Sequence, residues 1–443
     1  MSAFIRKHAV LFVLTGLYVA NFADRSVLAV VVEPMKADLG LSDGEIGLVQ
    51  SMLLFCLPIL LIPSSLILDL WSRKKMIFLV AVVWSLGCLG TGLATGFLIL
   101  LLARVVCAFG EATFGPGGTA WVSMSYPAER RSSMLGFFSL AAPLGMALGT
   151  LGGGFMVMAT GTWRSPFFCL IALGFGLALC VLALTDYRTD GDSKRPDVGL
   201  YLAETLGLFR NRTLMLVSVA TACFCFIKFS YQGWVPAMLV RSYGLSSMHA
   251  GVLFTLMVLA GILGPIIGGQ IADRAQRGSP VGRPRIESVL VGLVVVSKAI
   301  FYGLMGVVSL PVIVVLGIVD SIVTMAPIPV YFSLAQDVVS VRLKSMSVGL
   351  FGVIVFLGGA WGPVAVGALS DLFGGGAAGL RLAMLSNVLA GILSVGLFLL
   401  SCRTYTDDKV RAERDAPTPS SAFGCASLVG KARSGCAPGT GDR

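Results

Sequence analysis

The sequence predicts an all-α integral membrane protein with twelve transmembrane helices in two pseudo-symmetric six-helix halves. Three observations carry this: apolar stretches of spanning length recur from end to end, Lys and Arg are segregated to alternate loops, and the second half of the chain repeats the first. The 443 residues are 56% hydrophobic and 13% charged, against about 25% charged in an ordinary soluble domain. One soluble core cannot hide that much apolar surface. Stretches near the ~20 residues needed to cross the hydrocarbon core fall at 8–32, 45–68, 76–96, 98–122, 132–159, 165–185, 213–239, 248–272, 286–309, 311–336, 344–370 and 378–401.

The net charge is +10, but the basic residues are dispersed among inter-helix loops and form no stripe, which argues against nucleic acid as a partner. They test the topology instead. Four of the 33 Lys and Arg (Lys36, Arg164, Arg241, Arg381) fall in the loops of one side, four fall within spans, and the rest lie on the side of both termini. The positive-inside rule therefore expects both termini in the cytoplasm and the chain in the inner (plasma) membrane as a multi-pass protein. Arg6 and Lys7 ahead of an apolar run ending at Ala20 and Ala23 also resemble a signal peptide. The internal repeat, however, needs that segment as a retained first helix. Seven of the ten cysteines lie in spans and three (Cys402, Cys425, Cys436) near the C-terminus, with no metal-ligand spacing, so neither disulfides nor a metal are expected.

Gly40-Leu41-Ser42 is matched by Gly244-Leu245-Ser246, Gly47 by Gly251 and Asp69 by Asp273, all at an offset of 204. After the second and eighth helices the offset becomes 213, aligning Arg131-Ser132-Ser133 with Lys344-Ser345-Met346. A duplicated six-helix half follows, giving residues 1–185 and 213–401 as the two halves. Residues 186–212 are a linker in which 198–209 alternates at helical spacing, so a short helix on the cytoplasmic face is expected. From 402 to 443 the composition predicts a disordered cytoplasmic tail.

Three stretches carry a family resemblance. Asn21-Phe22-Ala23-Asp24-Arg25 with Glu33-Pro34 and Gly40-Leu41-Ser42 is the first; Arg104 through Gly110-Glu111-Ala112 with Pro127 to Arg131 is the second. The third joins Arg241 to Ser246, Gly268 to Arg274, and Gly362-Pro363 through Ser370-Asp371. Together they resemble bacterial Spinster-like transporters of the major facilitator superfamily, which implies the major facilitator fold with a substrate site between the halves near the midplane. The superfamily's cytoplasmic loop signature is degraded in the first half (Ser65, Asp69, Leu70, Ser72, Arg73, Lys74) and fuller in the second (Gly269, Asp273, Arg274, Arg277). The resemblance implies a gating role for Asp69, Arg73, Asp273, Arg274 and Arg277, which latch the cytoplasmic side, with the first-half latch weakened by Leu70.

Asp24, Arg25, Arg104, Glu111, Lys228, Lys298 and Asp320 lie within spans, and each opposes insertion by roughly 2.5–3.5 kcal/mol at a helix centre. Arg104 and Glu111 are seven apart and share a helix face with Cys107 between them. Cys107 corresponds to Asp320 at the 213 offset, and Asp24 to Lys228 at 204. Asp24 and Glu111 are the expected proton-coupling acids, the alternative being a static network tying helices 1 and 4. Arg25, Arg104, Lys228, Tyr231, Gln232, Trp234 and Asp320 are the expected substrate-binding set, with snorkelling or fixed ion pairs as the alternative for the charged ones. Lys298 is expected to be structural or lipid-facing.

With only His8 and His249 and no nucleophile elbow, an enzyme is not expected, nor is a cofactor. The expected function is secondary active transport by alternating access: proton-coupled movement of a small organic anion or anionic amphiphile by a monomer, with the lipid bilayer as its medium. The alternative is a proton-antiporting exporter of hydrophobic compounds or lysolipids. Within the resembled family, animal members move lysolipids and phosphorylated sphingoid bases, and bacterial members varied small organic acids.

Overall fold

The computed structural model describes residues 3–70, 72–184, 207–340 and 343–414. Among them, twelve helices are long and apolar enough to cross a membrane: His8–Val30, Asp43–Leu61, Arg73–Gly92, Phe97–Ser125, Glu129–Thr160, Ser165–Leu182, Arg212–Tyr243, Ser247–Gly278, Gly282–Leu304, Leu310–Asp337, Met346–Leu372 and Gly376–Ser401. They are numbered as spans one to twelve. An even number of crossings puts both ends of the chain on one side, here the terminal face; the other side is the far face.

The repeat seen in the sequence is a repeat of helix caps. Gly40 and Gly244 both end helices in the left-handed conformation, at φ 64° in each, which favours glycine. Two residues on, Ser42 accepts the Glu45 N–H (3.1 Å) and Ser246 the His249 N–H (3.3 Å), capping the second and eighth spans. Prolines set the helix breaks. A ring at position i clashes with the carbonyl of i−4 and supplies no N–H. Accordingly, helices end at Ser139, Ala260 and Gly359, at or next to the i−4 positions of Pro143, Pro265 and Pro363.

Within the first half, span one packs on span five and span three on spans four and six; in the second half, span seven packs on eleven and twelve. The halves meet where span two crosses span eleven and span five crosses span eight. Equivalent glycines permit both crossings. An added Cβ would lie 2.4 Å from the Pro363 carbonyl oxygen at Gly47 and 2.6 Å from that of Thr150 at Gly251, so only glycine lets the backbones approach this closely.

The first part of the expected disordered tail is helical. Tyr405–Arg414 is a helix, and it docks on the second half: the Tyr405 hydroxyl donates to Asp337 (2.8 Å), and Asp408 accepts the Thr213 N–H (3.0 Å) at the start of span seven. An acid at a helix N-terminus meets unpaired N–H groups, and charge-rich composition hid that interaction. Residues 415–443 and almost all of the expected linker helix lie outside the described residues.

Candidate functional site

At the far face the two halves are closed against each other by charge. Asp43, at the head of span two and wholly buried, accepts two parallel bonds from Arg241 of span seven, 2.7 Å each, and one from Ser370 of span eleven at 2.6 Å. Lys36 also pairs with it. Arg241 reaches Glu33 as well (2.7 Å). In return Asp371 of span eleven caps span two, accepting the N–H groups of Asp43 (3.0 Å) and Gly44 (2.7 Å). The planar arginine fork suits such bidentate pairing.

Beneath this closure the space widens toward the terminal face. A chamber of about 120 Å³, touched by Arg104, Ser26 and Gln50, shares Phe22, Arg25, Phe229 and Gln232 with a cavity of about 830 Å³. The larger cavity runs among spans one, two, four and five of the first half and seven, eight, ten and eleven of the second, with Gly115, Pro143, Pro265 and Gly349 on its walls.

The charges of spans one and four form two crossed pairs. Asp24, fully buried, accepts from Arg104 at 3.1 and 3.3 Å, and Arg104 also donates to Thr91 and lies over the Phe167 ring. Arg25 pairs with Glu111, Nε–Oε2 2.6 Å and Nη2–Oε2 2.5 Å. Exposure separates the two pairs: the Arg25 side chain is 30% exposed, that of Arg104 1%. Arg25 and Glu111 line the large cavity, whereas Arg104 touches only the inner chamber. Across the cavity, Lys228 and Gln232 line the wall beside Phe229 and Phe356. Among the described residues no carboxylate lies within salt-bridge distance of Lys228.

Three members of the expected binding set are placed elsewhere. Asp320 is 1% exposed and is satisfied within the second half by Lys298 (2.5 Å) and Ser297. The Lys298 ammonium sits 3.4 Å from the Tyr231 ring centroid, and the Tyr231 hydroxyl meets Ser321 at 2.9 Å. A pair and an aromatic face satisfy this ammonium where lipid could not, so Lys298 is not lipid-facing. Trp234 is buried with Nε1 donating to the Pro363 carbonyl (3.0 Å), tying span seven to span eleven. Repeat position pointed to Asp320, and nearness to Lys228 in sequence to Tyr231 and Trp234, but the inward face of a half is not always the face between halves.

Residues 14–363 match the family model of the Major Facilitator Superfamily. The chain belongs to that superfamily. It is 30% identical over 263 residues to an MFS-type efflux pump of Mycolicibacterium smegmatis and 27% identical over 273 residues to a probable L-galactonate transporter of Escherichia coli. Each match covers 59% of this chain, and 61% and 60% of those relatives. In structure it is similar to a bacterial homologue of the lysosomal transporter Spinster in an inward-facing, unoccupied conformation, with TM-score 0.80 at 23% identity over 92% of this chain and 99% of that one. These relatives are membrane transporters rather than enzymes.

Among the superfamily's loop-signature positions, the Asp69 side chain lies outside the described residues. Arg73 is buried within the first half and donates toward the Met124 sulfur. Asp273 pairs with Arg283 (3.2 Å), which also holds Asp337 (2.6 Å), while Arg274 and Arg277 are exposed. None of these contacts crosses between the halves. The cross-half latch is the Asp43–Arg241 cluster, which the sequence reading missed as a function although Arg241, Ser370 and Asp371 stood among its family marks. It also missed Glu287, wholly buried in span nine with neither carboxyl oxygen hydrogen-bonded among the described residues.

Proposed function

We propose that the chain is a secondary active transporter that carries a small organic anion by alternating access, coupled to protons through Glu111. The observation that carries this reading is Lys228, a cation on the wall of the large cavity without a carboxylate partner among the described residues, facing the Arg25–Glu111 pair. An anionic head between Lys228 and Arg25 supplies the missing charge, and the aromatic wall takes an apolar body. Arg25 reaches the cavity while the Glu111 carboxylate lies behind it. An anion that takes Arg25 therefore strips Glu111 of its counter-charge, and a buried lone carboxylate is more costly than its protonated form. One anion then enters with one proton. Asp24, held by Arg104, positions the first-span end of this pair.

The positive-inside distribution supports placing the terminal face in the cytoplasm of the inner membrane, so that the structure is the cytoplasm-open state. The galactonate relative supports a sugar acid as the first substrate to try. The efflux relative and the apolar cavity wall favour, as the second reading, export of hydrophobic compounds. Uptake of a radiolabelled sugar-acid panel into proteoliposomes tests both. Acid-outside gradients should drive accumulation, abolished in Lys228→Gln. Accumulation driven only by the opposite gradient, or unaffected by Lys228→Gln, overturns the symport reading.

A further inference from the structure

The ligand atoms of Asp24, Cys88 and Cys107, from spans one, three and four, all lie within 4.8 Å of one another, and all three residues are buried. No spacing in the sequence announces this group, since each residue comes from a different helix. A thiolate–metal bond is about 2.3 Å, so two sulfurs on one ion stand at most about 4.6 Å apart. Around a tetrahedral ion the ligand atoms stand about 3.8 Å apart, so a pair at the 4.8 Å limit closes on an ion by moving about 1 Å.

We propose that Asp24, Cys88 and Cys107 form a binding site for a single soft divalent cation, such as Zn²⁺ or Cd²⁺, which reversibly arrests transport. Two thiols select soft ions over Mg²⁺ or Ca²⁺. Charge also balances. The Asp24–Arg104 pair is neutral, and a divalent ion that enters while the two thiols each release a proton leaves the cluster neutral, so no net charge is buried. Arg104 donates to Asp24 at 3.1 Å and to Thr91, the outer support that orients a carboxylate ligand. None of the three ligands reaches a cavity wall, and the approach is past Arg104, which is 1% exposed, touches the inner chamber and must swing aside to admit an ion. An ion here ties three spans of the first half together and fixes Asp24, immediately beside Arg25.

Cd²⁺ titration of the purified full-length protein tests the site, since cadmium thiolates absorb in the ultraviolet. Wild type and a Cys225→Ala control should bind one Cd²⁺ with a thiolate charge-transfer band and release two protons per ion. Cys88→Ala and Cys107→Ala should each lose at least half of that band, and Asp24→Asn should weaken the affinity at least tenfold. In proteoliposomes, the ratio of transport with Cd²⁺ to transport without it should fall at least fivefold in wild type, recover with chelator, and stay near one in Cys88→Ala. Bands equal to wild type in both alanine variants, or no saturable binding by wild type, overturn the proposal. Correctly folded variants, judged by size-exclusion elution, keep either result decisive.

Discussion

Asp43→Asn should open the far face. Asp43 is wholly buried and receives two bonds from Arg241 and one from Ser370, both across the interface between halves. Its other partner, Lys36, belongs to its own half and is 27% exposed, so that pair contributes little to the closure. Breaking a buried ion pair by removing one partner costs about 3–5 kcal/mol. Arg241 keeps Glu33, which lowers the expectation to about 3 kcal/mol. That is about a 150-fold shift of the equilibrium between the two open states. Ser26 reports the change, because it is 7% exposed and lines the inner chamber directly beneath the closure. A Ser26→Cys reporter in intact cells should react slowly with a membrane-impermeant thiol reagent from outside, and about two orders of magnitude faster when Asp43→Asn is added. Labelling within twofold of the parent, at normal expression, would show that the Asp43 cluster does not hold the halves together.

Arg25→Lys should weaken apparent substrate affinity by about tenfold, about 1.4 kcal/mol, because lysine loses the planar fork; Arg104→Lys should instead chiefly lower protein yield, and equal affinity losses in both would return Arg104 to the ligand. Glu111→Gln should keep counterflow exchange but lose gradient-driven accumulation, and full accumulation in that variant would remove Glu111 from coupling. Glu287→Met, which replaces a buried carboxyl with no hydrogen-bond partner among the described residues at a cost of about 1–3 kcal/mol, should raise the melting temperature by a few degrees; a lower one would mean that Glu287 has a stabilising partner. Outside the spans, the Trp163 indole and then the Arg164 guanidinium, donating at 3.0 and 2.5 Å, hold the Asp38 carboxyl below its usual range. A depressed folded-state value gives a contribution that is present above the ordinary carboxylate range, near 4, and lost as pH falls through the folded value. Trp163 emission should therefore stay constant from neutral pH down to about 4 and change only below it; an unchanged acid-side transition in Asp38→Asn would refute the assignment.

The spans and the two halves were legible because each is written in many residues at once: hydropathy over about twenty positions, and glycines and caps at one offset. Partnering was not. Asp24 and Arg25 are neighbours about 100° apart on one helix, and only the depth of span four against span one decides that the first meets Arg104 and the second Glu111. Repeat logic assigned Cys107 and Asp320 equivalent positions. Both are buried, 0% and 1% exposed, inside their own halves rather than on the cavity wall, so shared position did not mean shared access. The Asp43 latch joins the end of a short loop to residues 198 and 327 positions away, and no local pattern encodes a contact at that separation.

The two faces differ in which charges they commit to the partner half, and that difference bears on how an empty carrier behaves. At the far face, Asp43, Arg241, Ser370 and Asp371 are all engaged across the interface. At the terminal face, Asp273, Arg283, Asp337 and Tyr405 satisfy one another within the second half. Opening the far face therefore costs the Asp43 cluster, and closing the terminal face over the cavity would enclose Lys228 with no carboxylate among the described residues to neutralise it. Both costs fall on the empty protein. Under the proposed mechanism, an anion bridging Lys228 and Arg25 would remove the second, and a proton following onto Glu111 would prevent a new lone carboxylate from taking its place. Under the proposed symport, an anion held by Lys228 alone would need no proton, whereas one that also takes Arg25 leaves Glu111 a lone buried carboxylate until a proton follows, so coupling turns on whether the substrate engages Arg25.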